Sequence, residues 1–437
     1  MKTLSTPATF LATCDLGAKV RGRAIAGAPE GTPLFVGWVP ADQATNAFDQ
    51  LAVPNSFGSM GDLRMRADLD TGITLPGRNG GAPMKLYLSD LLNMDGSIWE
   101  CDPRAALKDA LQDLKARHDI DVTASFEHEF ILTRADGTKL DGVALGLDSM
   151  RSAEPFGTEL IALLNENGLE PENWLAEFGV GQFEITLRPA PALVACDRAI
   201  LLREIVHDLA RANGLRATFV PLPHPDSVGN GVHVHLSFSN SQGPVTYDPN
   251  GESGLSAIAS KASAGILAHA EMIMAISAPS QISYLRLKPH RWSSGAIFIG
   301  AHTREAMLRI CLPPADSDPV KKYNLEYRAA DATANPWFVM AALVRAATAG
   351  LDADQLVGGV VTSEVDELPK HEWERIGIRA LPASLEEALT HLGPGTKSRE
   401  WFSDVILDTH LDLREMERKF FAEMDDVEKC ARYTDAY

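Results

Sequence analysis

The first hundred residues carry short apolar runs separated by turn-forming residues. The runs are Phe10–Asp15, Arg21–Ile25 and Leu34–Val39, and Gly or Pro turns at Asp15–Gly17 and Pro29–Gly31 separate them. Short β-forming runs bounded by Gly and Pro are typical of strands. Residues 1–100 are therefore expected to form a small, mostly β domain. Within it, Val53–Gly81 has little periodicity and many glycines, which predicts a long loop.

The pattern changes at Asp102, where a residue that commonly caps helices precedes Pro103. Apolar residues then recur at helical spacing over Ala105–His118, and strands and helices alternate to the end of the chain. Three later helices are predicted at Phe338–Leu351, Ser384–Leu392 and His410–Tyr433. The first of these is Ala-rich and interrupted by a single charge, which indicates a buried helix. Residues 101–437 are thus predicted to form a second, larger α+β domain.

The strand-like run around Glu127-His128-Glu129 holds two carboxylates that are two residues apart. Side chains at i and i+2 of a strand point to the same face, so Glu127 and Glu129 lie side by side. Adjacent carboxylates repel each other unless a cation lies between them. A solvated strand edge is the alternative, but the apolar flanks favour a metal site.

Three further segments repeat this spacing. A Gly-containing turn joins Glu177 to a strand with Gln182 and Glu184, and His233, His235 and Ser237 share one strand face. In the last segment, Glu326 and Arg328 face the same side. Taken one at a time, these are ambiguous, because an exposed acidic turn, two surface histidines or a local ion pair explains each segment equally well.

A group of basic residues lies before the last segment: Arg286, Lys288, Arg291, Arg304, Arg309, Lys321 and Lys322. Guanidinium groups bind carboxylates and phosphates in bidentate fashion. Oxygen-rich ligand sets favour Mg²⁺ or Mn²⁺ over zinc. Glutamates with arginines therefore indicate metal-dependent phosphoryl transfer, although no GxxxxGK[ST] loop and no GxSxG motif occurs in the sequence.

The charge, cysteine content and apolar runs of the chain disfavour several classes of function. The 437 residues carry 59 acidic and 40 basic side chains, a net charge of −19, which disfavours binding to the nucleic-acid backbone. The five cysteines are scattered, without a CxxC pair, which argues against a disulfide framework. No apolar run approaches the roughly 20 residues that span a bilayer, and no signal peptide is recognised. A cytoplasmic protein without nucleic-acid or membrane partners is expected.

Six motifs occur in an order that resembles the glutamine synthetase superfamily: EHEF, GQFE, GNGVHVHLS, ISYLRL, LEYRAAD and ANPW. The resemblance covers nearly the whole chain and includes Gly61–Asp68 near the end of the small domain. It implies an N-terminal β-grasp domain over residues 1–100. Residues 101–437 would form a catalytic domain, built on a curved antiparallel sheet with flanking helices.

The resemblance also implies roles for individual residues. The ligands of a first divalent ion would be Glu129, Glu177 and Glu184, and those of a second Glu127, His233 and Glu326. Glutamate or its phosphorylated form would be bound by Gly229, Asn230, Arg286, Arg304 and Arg328. Nucleotide and phosphate contacts would come from His235, Ser237, Arg309 and Lys321, and the catalytic residues would be Arg304, Arg309 and Arg328.

The implied reaction has two steps. ATP phosphorylates the side-chain carboxylate of glutamate, and an amine then attacks the acyl phosphate. Mg²⁺ or Mn²⁺ would be the cofactor, with two or more ions in each site. Members of the family form hexameric rings, often stacked as dodecamers, with active sites shared between subunits, so a homo-oligomer is expected.

Departures from the family pattern bear on the amine. Ammonia-using members carry an acidic residue where this chain has Trp292, and an acidic loop where it has Pro54–Gly61 without an aspartate. Ammonium needs negative charge around it, whereas a tryptophan offers an apolar, cation–π surface. We therefore expect Trp292 to bind an organic amine. In addition, Asn324 replaces an arginine common in the family, and Asp366 stands where some members carry a regulatory tyrosine.

Three functions remain open at this point. The favoured one is a ligase that forms γ-glutamyl amides from an organic amine, as do the family branches acting on polyamines, ethanolamine or alkylamines. The first alternative is an ordinary glutamine synthetase that uses ammonia. The second is a catalytically silent member with a regulatory or scaffold role, which the intact set of candidate metal ligands disfavours.

Overall fold

The computed structural model describes residues 7–27, 33–291 and 293–437. Both the predicted turn at Pro29–Gly31 and Trp292 lie outside the described residues. The strands are β1 Ala8–Cys14, β2 Val20–Ala26, β3 Phe35–Trp38, β4 Leu63–Ala67, β5 Ile73–Leu75, β6 Met84–Asn93, β7 Asp121–Arg134, β8 Pro171–Ala176, β9 Gln182–Leu187, β10 Ala190–Pro191, β11 Leu215–Thr218, β12 Val232–Asn240, β13 Gly243–Pro244, β14 Ala296–Ala301, β15 Ala306–Cys311, β16 Asn324–Tyr327 and β17 Arg379–Ala380.

The α-helices are α1 Pro103–His118, α2 Leu147–Ser152, α3 Phe156–Glu166, α4 Ala192–Ala212, α5 Ala257–Ala268, α6 Ala270–Ser277, α7 Ser283–Arg286, α8 Pro319–Lys322, α9 Pro336–Ala353, α10 Lys370–Ile376, α11 Leu385–Leu389, α12 Ser398–Trp401, α13 Asp404–Phe420 and α14 Asp426–Ala436. Short 3₁₀ helices lie at Pro40–Ala44, Leu69–Thr71, Glu252–Gly254, Val365–Glu367 and Thr390–Leu392. Among the described helices, none is long and apolar enough to cross a membrane.

The described part of the N-terminal region forms a six-stranded sheet in the order β2-β1-β6-β4-β3, with β5 also paired to β6. Strands β1 and β6 run parallel, and the other pairs are antiparallel. The three strands predicted at the start of the chain are confirmed as β1, β2 and β3. Because the larger sheet begins only at β7, this arrangement supports the division near residue 100, which stays a prediction.

The predicted loop over Val53–Gly81 is wrong in part, because β4, a 3₁₀ turn and β5 lie within it. Strand β4 alternates buried Leu63, Met65 and Ala67 with the more exposed arginines 64 and 66. This is the period-two pattern of a half-buried strand. The strand is short and lies among glycines, which obscured the pattern in the sequence.

The larger sheet has eleven strands in the described residues, in the order β17-β14-β15-β16-β12-β7-β9-β8, with β10 and β11 paired to β7 and β13 to β12. Its pairs are antiparallel except β14 with β15. Helix α4 packs on β7, and α9 packs against α1, α4 and α5. The predicted α+β fold, with a large catalytic-type domain built on a curved sheet, is confirmed.

The predicted helices are largely confirmed. Helix α1 begins after Asp102, whose carboxylate accepts the Arg104 N–H, and α9 is buried around most of its surface. The single helix predicted over residues 410–433 is instead two, α13 and α14. The second helix begins at a capping box of its own, formed by Asp425 and Glu428.

Arg104 connects the two parts of the fold. Its side chain is 1% exposed and forms ion pairs of 2.7 Å with Asp68, Asp90 and Asp197. Asp90 lies on β6 of the small sheet, whereas Asp197 lies on α4 of the large domain. A buried arginine needs such partners because an unpaired buried charge is strongly destabilising. The small sheet and the helices of the large domain are therefore joined by charge pairing.

Candidate active site

Strand β7 presents a buried face and a half-open face. Phe126, His128 and Phe130 are buried, whereas Glu127 and Glu129 between them are partly exposed. In the neighbouring strands, His233 of β12 is opposite Glu127 and Glu184 of β9 is opposite Glu129. Directly opposed residues of an antiparallel pair have Cβ atoms about 5 Å apart. The registers of three strands therefore bring ionisable side chains from distant sequence segments together.

The first cluster consists of Glu129, Glu177 and Glu184. One carboxylate oxygen of each lies within 4.8 Å of the others, a spacing that suits one shared cation. Glu177 reaches this position through the turn that follows β8, where its N–H donates to the Gln182 carbonyl at 2.9 Å. Gly181 has a φ of +70°, a conformation that glycine adopts without strain.

The carboxylates of the first cluster perturb one another. Burial, together with repulsion from Glu127, Glu129 and Glu177, raises the pKa of Glu184 to about 9. Burial and the charge of Glu129 also raise the pKa of Glu177. Such shifts mean that the site resists carrying its full negative charge without a counter-ion. A group of carboxylate oxygens that lacks a neighbouring positive charge suits a hard divalent cation such as Mg²⁺ or Mn²⁺.

The second cluster consists of Glu127, His235 and Glu326, whose ligand atoms also lie within 4.8 Å of one another. His233 is close to the same carboxylates, because its Nδ1 lies 3.4 Å from Glu127 Oε2 and 3.3 Å from Glu326 Oε1. His235 Nε2 lies 3.0 Å from Glu127 Oε1. The structure thus places both histidines near the two carboxylates, although the sequence assigned only His233 to the metal.

Opposite charges keep the carboxylates of the second cluster ionised. Although burial opposes it, contacts with His233 and His235 hold the pKa of Glu127 far below its usual range. Burial likewise opposes ionisation of Glu326, but His233, Arg328, His235 and Arg309 lower its pKa to about 2. Arg309 Nη1 is 2.8 Å from Glu326 Oε2, and Arg328 contacts the other oxygen.

The first cluster and part of the second face a cavity of about 570 Å³, hereafter the main cavity, which is within the usual range for small-molecule sites. The predicted site residues in its wall are Glu127, Glu129, Glu177, Glu184, Gly229, His233, Arg286, Arg304, Arg309, Glu326 and Arg328. With Arg291, which also lines it, five arginines and five glutamates therefore line one cavity. Such a cavity can accommodate a substrate with carboxylates and phosphates beside metal ions.

Arg286 is, with Arg328, one of two deeply buried arginines at the cavity. It is 4% exposed, and one Nη donates to the Ala330 carbonyl at 2.8 Å. Its Nε is buried without a hydrogen-bond partner among the described residues. Burial lowers the pKa of Arg286. A buried guanidinium donor at a cavity wall favours an anionic ligand, since an unsatisfied buried donor is costly.

Gly229 and Asn230 have different environments. Gly229 lines the main cavity, and a side chain there would meet the Pro221 carbonyl at 2.6 Å and Arg286 at 2.7 Å. Asn230 is 1% exposed and does not line the cavity. Its Nδ2 donates to the Val220 carbonyl at 2.7 Å, and its Oδ1 accepts from Gln182 at 2.9 Å. Its side chain supports the loop from beneath.

Gln182 is a positioning residue that the sequence reading did not assign to the site. Its Nε2 donates to the Gly229 carbonyl and to Asn230 Oδ1, both at 2.9 Å, while its Oε1 accepts the Gly179 N–H at 2.8 Å. One amide group therefore holds two loops in register at the cavity. The sequence held one indication of this role, because Gln182 lies two residues before Glu184 on the same strand.

A second cavity, of about 480 Å³, lies across Glu127 from the main cavity. His235, Ser237 and Lys321 line it, and Glu127 lines both cavities. Arg309, the fourth residue predicted for the nucleotide, lines the main cavity instead. The phosphate-type contacts are thus distributed on both sides of the second cluster.

Trp292 lies outside the described residues, so its predicted place at the amine site stays a prediction. The residues on either side of it, Arg291 and Ser293, both line the main cavity. Arg291 donates to the backbone carbonyls of Pro225 at 3.0 Å and Ser227 at 3.4 Å. Arg291 is therefore bonded to the loop that precedes Gly229, and that loop lines the same cavity.

Comparisons with known proteins agree with this geometry. A family model described as "Glutamine synthetase, catalytic domain" matches residues 100–433. The gamma-glutamylpolyamine synthetase GlnA3 of Streptomyces coelicolor is 28% identical over 405 residues, which cover 91% of this chain and 86% of that protein. The type-1 glutamine synthetase 1 of Dictyostelium discoideum is 29% identical, with 78% of this chain and 69% of that protein covered.

A solved structure is also similar over its whole length. It is described as "Crystal structure of novel glutamine synthase homolog", with a TM-score of 0.89 and 32% identity, and the match covers 100% of each chain. Relatives named for a polyamine substrate and relatives named as glutamine synthetases therefore both resemble this chain.

Proposed function

This chain belongs to the glutamine synthetase family and is an ATP-dependent carbon–nitrogen ligase, and we propose that it joins the side-chain carboxylate of glutamate to an organic amine. The observation that carries the proposal is the pair of ligand clusters between two cavities. Glu127 lines both cavities, so a nucleotide phosphate from one side and a carboxylate from the other would meet at the metal ligands.

In the proposed first step, the γ-phosphoryl group of ATP passes to the glutamate side chain, which leaves ADP and an acyl phosphate. Arg304, Arg309 and Arg328 would balance charge on the transferring group, because all three line the main cavity. Arg286 and Gly229 would orient glutamate. Mg²⁺ or Mn²⁺, when bound by the two clusters, would neutralise negative charge on the phosphates.

In the second step, the amine nitrogen attacks the carbonyl carbon, and inorganic phosphate leaves as the amine gives up a proton. The product is a γ-glutamyl amide. Phosphate is a good leaving group, so the chain's main task is to position the amine and to keep the acyl phosphate from water. A cavity lined by both the loop near Gly229 and Arg291 suits this task.

The preference for an organic amine rests on two sequence departures and one relative. Trp292 replaces an acidic residue, and Pro54–Gly61 lacks the aspartate of ammonia-using members. The relative from Streptomyces coelicolor is named for polyamine glutamylation. Ordinary glutamine synthesis remains the second candidate, because relatives of that name match at almost the same identity.

Phosphate release from ATP, measured with Mg²⁺, glutamate and a panel of amines, tests the proposal. The panel contains ammonia, methylamine, longer alkylamines, ethanolamine and polyamines. We expect an organic amine to exceed ammonia in kcat/KM by a wide margin. If ammonia gives the highest kcat/KM, the protein is a glutamine synthetase and the amine proposal is wrong. Release without glutamate gives the background, and chelation of the metal should abolish all turnover.

We also propose two divalent ions per site, subunits assembled into hexameric rings that stack as a dodecamer with active sites between subunits, and a cytoplasmic location. The five cysteines are free thiols in the structure, which suits a reducing compartment. Light scattering after gel filtration would test the assembly, since a ring of six subunits and a monomer differ sixfold in mass. Equilibrium binding of Mn²⁺ would count the ions.

A further inference from the structure

The turn between β8 and β9 carries an aromatic side chain, Phe178, on a hydrogen-bonded backbone. Phe178 is 63% exposed, although burying a phenylalanine is strongly favourable. Its N–H donates to the Glu177 carboxylate at 3.1 Å, and the next N–H, of Gly179, donates to Gln182 at 2.8 Å. The turn is thus restrained by hydrogen bonds at Phe178 and at the residue that follows it.

Phe178 lies next to a candidate metal ligand and at the wall of the main cavity. It follows Glu177 of the first cluster directly and lines the main cavity. Among the described lining residues, the apolar ones are Leu175, Phe178, Leu222 and Val228. The others are mostly charged or polar. Two of these apolar residues, Leu175 and Phe178, lie within two positions of Glu177 in the sequence, and Phe178 is the largest of the four.

We propose that Phe178 is a specificity-determining residue of the amine subsite, where its ring packs against the carbon chain of the amine. The inference rests on the proposed function and adds to it the residue that selects the substrate. An aromatic ring offers apolar area to methylene groups and a negative face to an ammonium group. Because the turn is preorganised by its hydrogen bonds, contact with the ring costs little ordering.

Ammonia gains nothing from such a surface, because it has no carbon chain to remove from water. Each methylene that contacts the ring should instead raise kcat/KM, since apolar burial scales with area. Discrimination by apolar contact typically amounts to about tenfold or more for a single methylene in a closed pocket. For an open wall such as this one, we expect about tenfold over the whole chain of the amine.

The experiment compares wild type with Phe178→Ala, Phe178→Leu and Val180→Ala. Val180 is the matched control, because it lies in the same turn and is 54% exposed but does not line the main cavity. The substrates are primary amines and diamines with chains of one to five carbons. The readout is the chain-length ratio, defined as kcat/KM for the best longer amine divided by that for methylamine.

We expect Phe178→Ala to lower the chain-length ratio by about tenfold, Phe178→Leu to lower it less, and Val180→Ala to leave it unchanged. An unchanged ratio in Phe178→Ala would overturn the inference. If Phe178→Ala is too damaged to measure, Phe178→Leu decides by the same criterion. A wild type that prefers ammonia to every amine refutes the proposed function instead, so the two failures are distinguishable.

Discussion

Glu129 takes part in two kinds of interaction in the active site, hydrogen bonding and membership of a candidate metal cluster. Its Oε2 accepts the Gly231 N–H at 2.7 Å, and the same carboxylate belongs to the first cluster with Glu177 and Glu184. The hydrogen bond needs only an acceptor, whereas a cation needs the negative charge. A substitution that removes the charge and keeps an oxygen therefore separates the two roles.

We predict that Glu129→Gln lowers turnover by about 100-fold or more, because a divalent ion loses a charged ligand. Without added metal, its thermal stability should equal or exceed that of wild type, since one of several mutually repelling charges is gone. Glu166→Gln, an exposed substitution at the end of α3, is the control. Full activity of Glu129→Gln in a folded protein would contradict its assignment as a metal ligand.

We predict that Trp292→Glu shifts the preference of the enzyme from organic amines towards ammonia. The substitution restores the negative charge that a small cation needs at the cavity mouth and removes an apolar surface. Competition between ammonia and the best organic amine, followed by product analysis, measures the shift. Trp292→Phe should keep the original preference. If Trp292→Glu also keeps it, Trp292 does not line the amine site.

At the level of elements, the sequence predicted which residues of a strand share one face of the site. Alternation around Glu127 and Glu129 predicted that both face one side, and the paired strands place His233 and Glu184 opposite them. Spacing along a strand determines the face, but only register determines the neighbours. The grouping of the ligands came from family resemblance, because no single segment specifies which strands pair.

Elements that depend on distant contacts were predicted less well. Sequence alone gave no sign that Asn230 is buried, since its partners, Val220 and Gln182, belong to other elements. The break between α13 and α14 was missed because the amphipathic pattern continues across it. The capping box of Asp425 and Glu428 was the local signal for the new helix.

Asp102 caps the first turn of α1 and also bonds to β6. It is 1% exposed, and its carboxylate accepts the Arg104 N–H at 2.9 Å and the Leu91 N–H of β6 at 3.0 Å. We predict that Asp102→Ala lowers the free energy of unfolding by about 2–4 kcal/mol, because it removes a helix cap and leaves a buried N–H unsatisfied.

Urea unfolding at neutral pH measures this loss. Asp425→Ala is the comparison, because Asp425 caps α14 from an exposed position and has no partner on a β-strand among the hydrogen bonds of the described residues. It should destabilise the protein less. Equal losses in the two variants would mean that the bond from Asp102 to β6 contributes little.

Two buried histidines make the whole molecule sensitive to acid. His128 lies on the core face of β7 and His410 lies on α13, and each is 1% exposed with a buried Nδ1 that lacks a partner among the described residues. Burial, assisted by the charge of Arg203 for His128 and of Arg414 for His410, lowers both pKa values to about 3. Both side chains are therefore neutral in the folded protein at physiological pH.

We predict that the contribution of these two histidines to folding stability falls as the pH drops from about 6.5 towards 3, because their imidazoles then bind protons in the unfolded chain and not in the folded protein. Each histidine contributes about 1.4 kcal/mol per pH unit within that window. Urea unfolding of His410→Gln in metal-free buffer should show a pH slope smaller by that amount, whatever its stability at pH 7. His371→Gln, with a side chain 75% exposed in wild type, should keep the wild-type slope. If His410→Gln also keeps it, the acid sensitivity arises from groups other than His410.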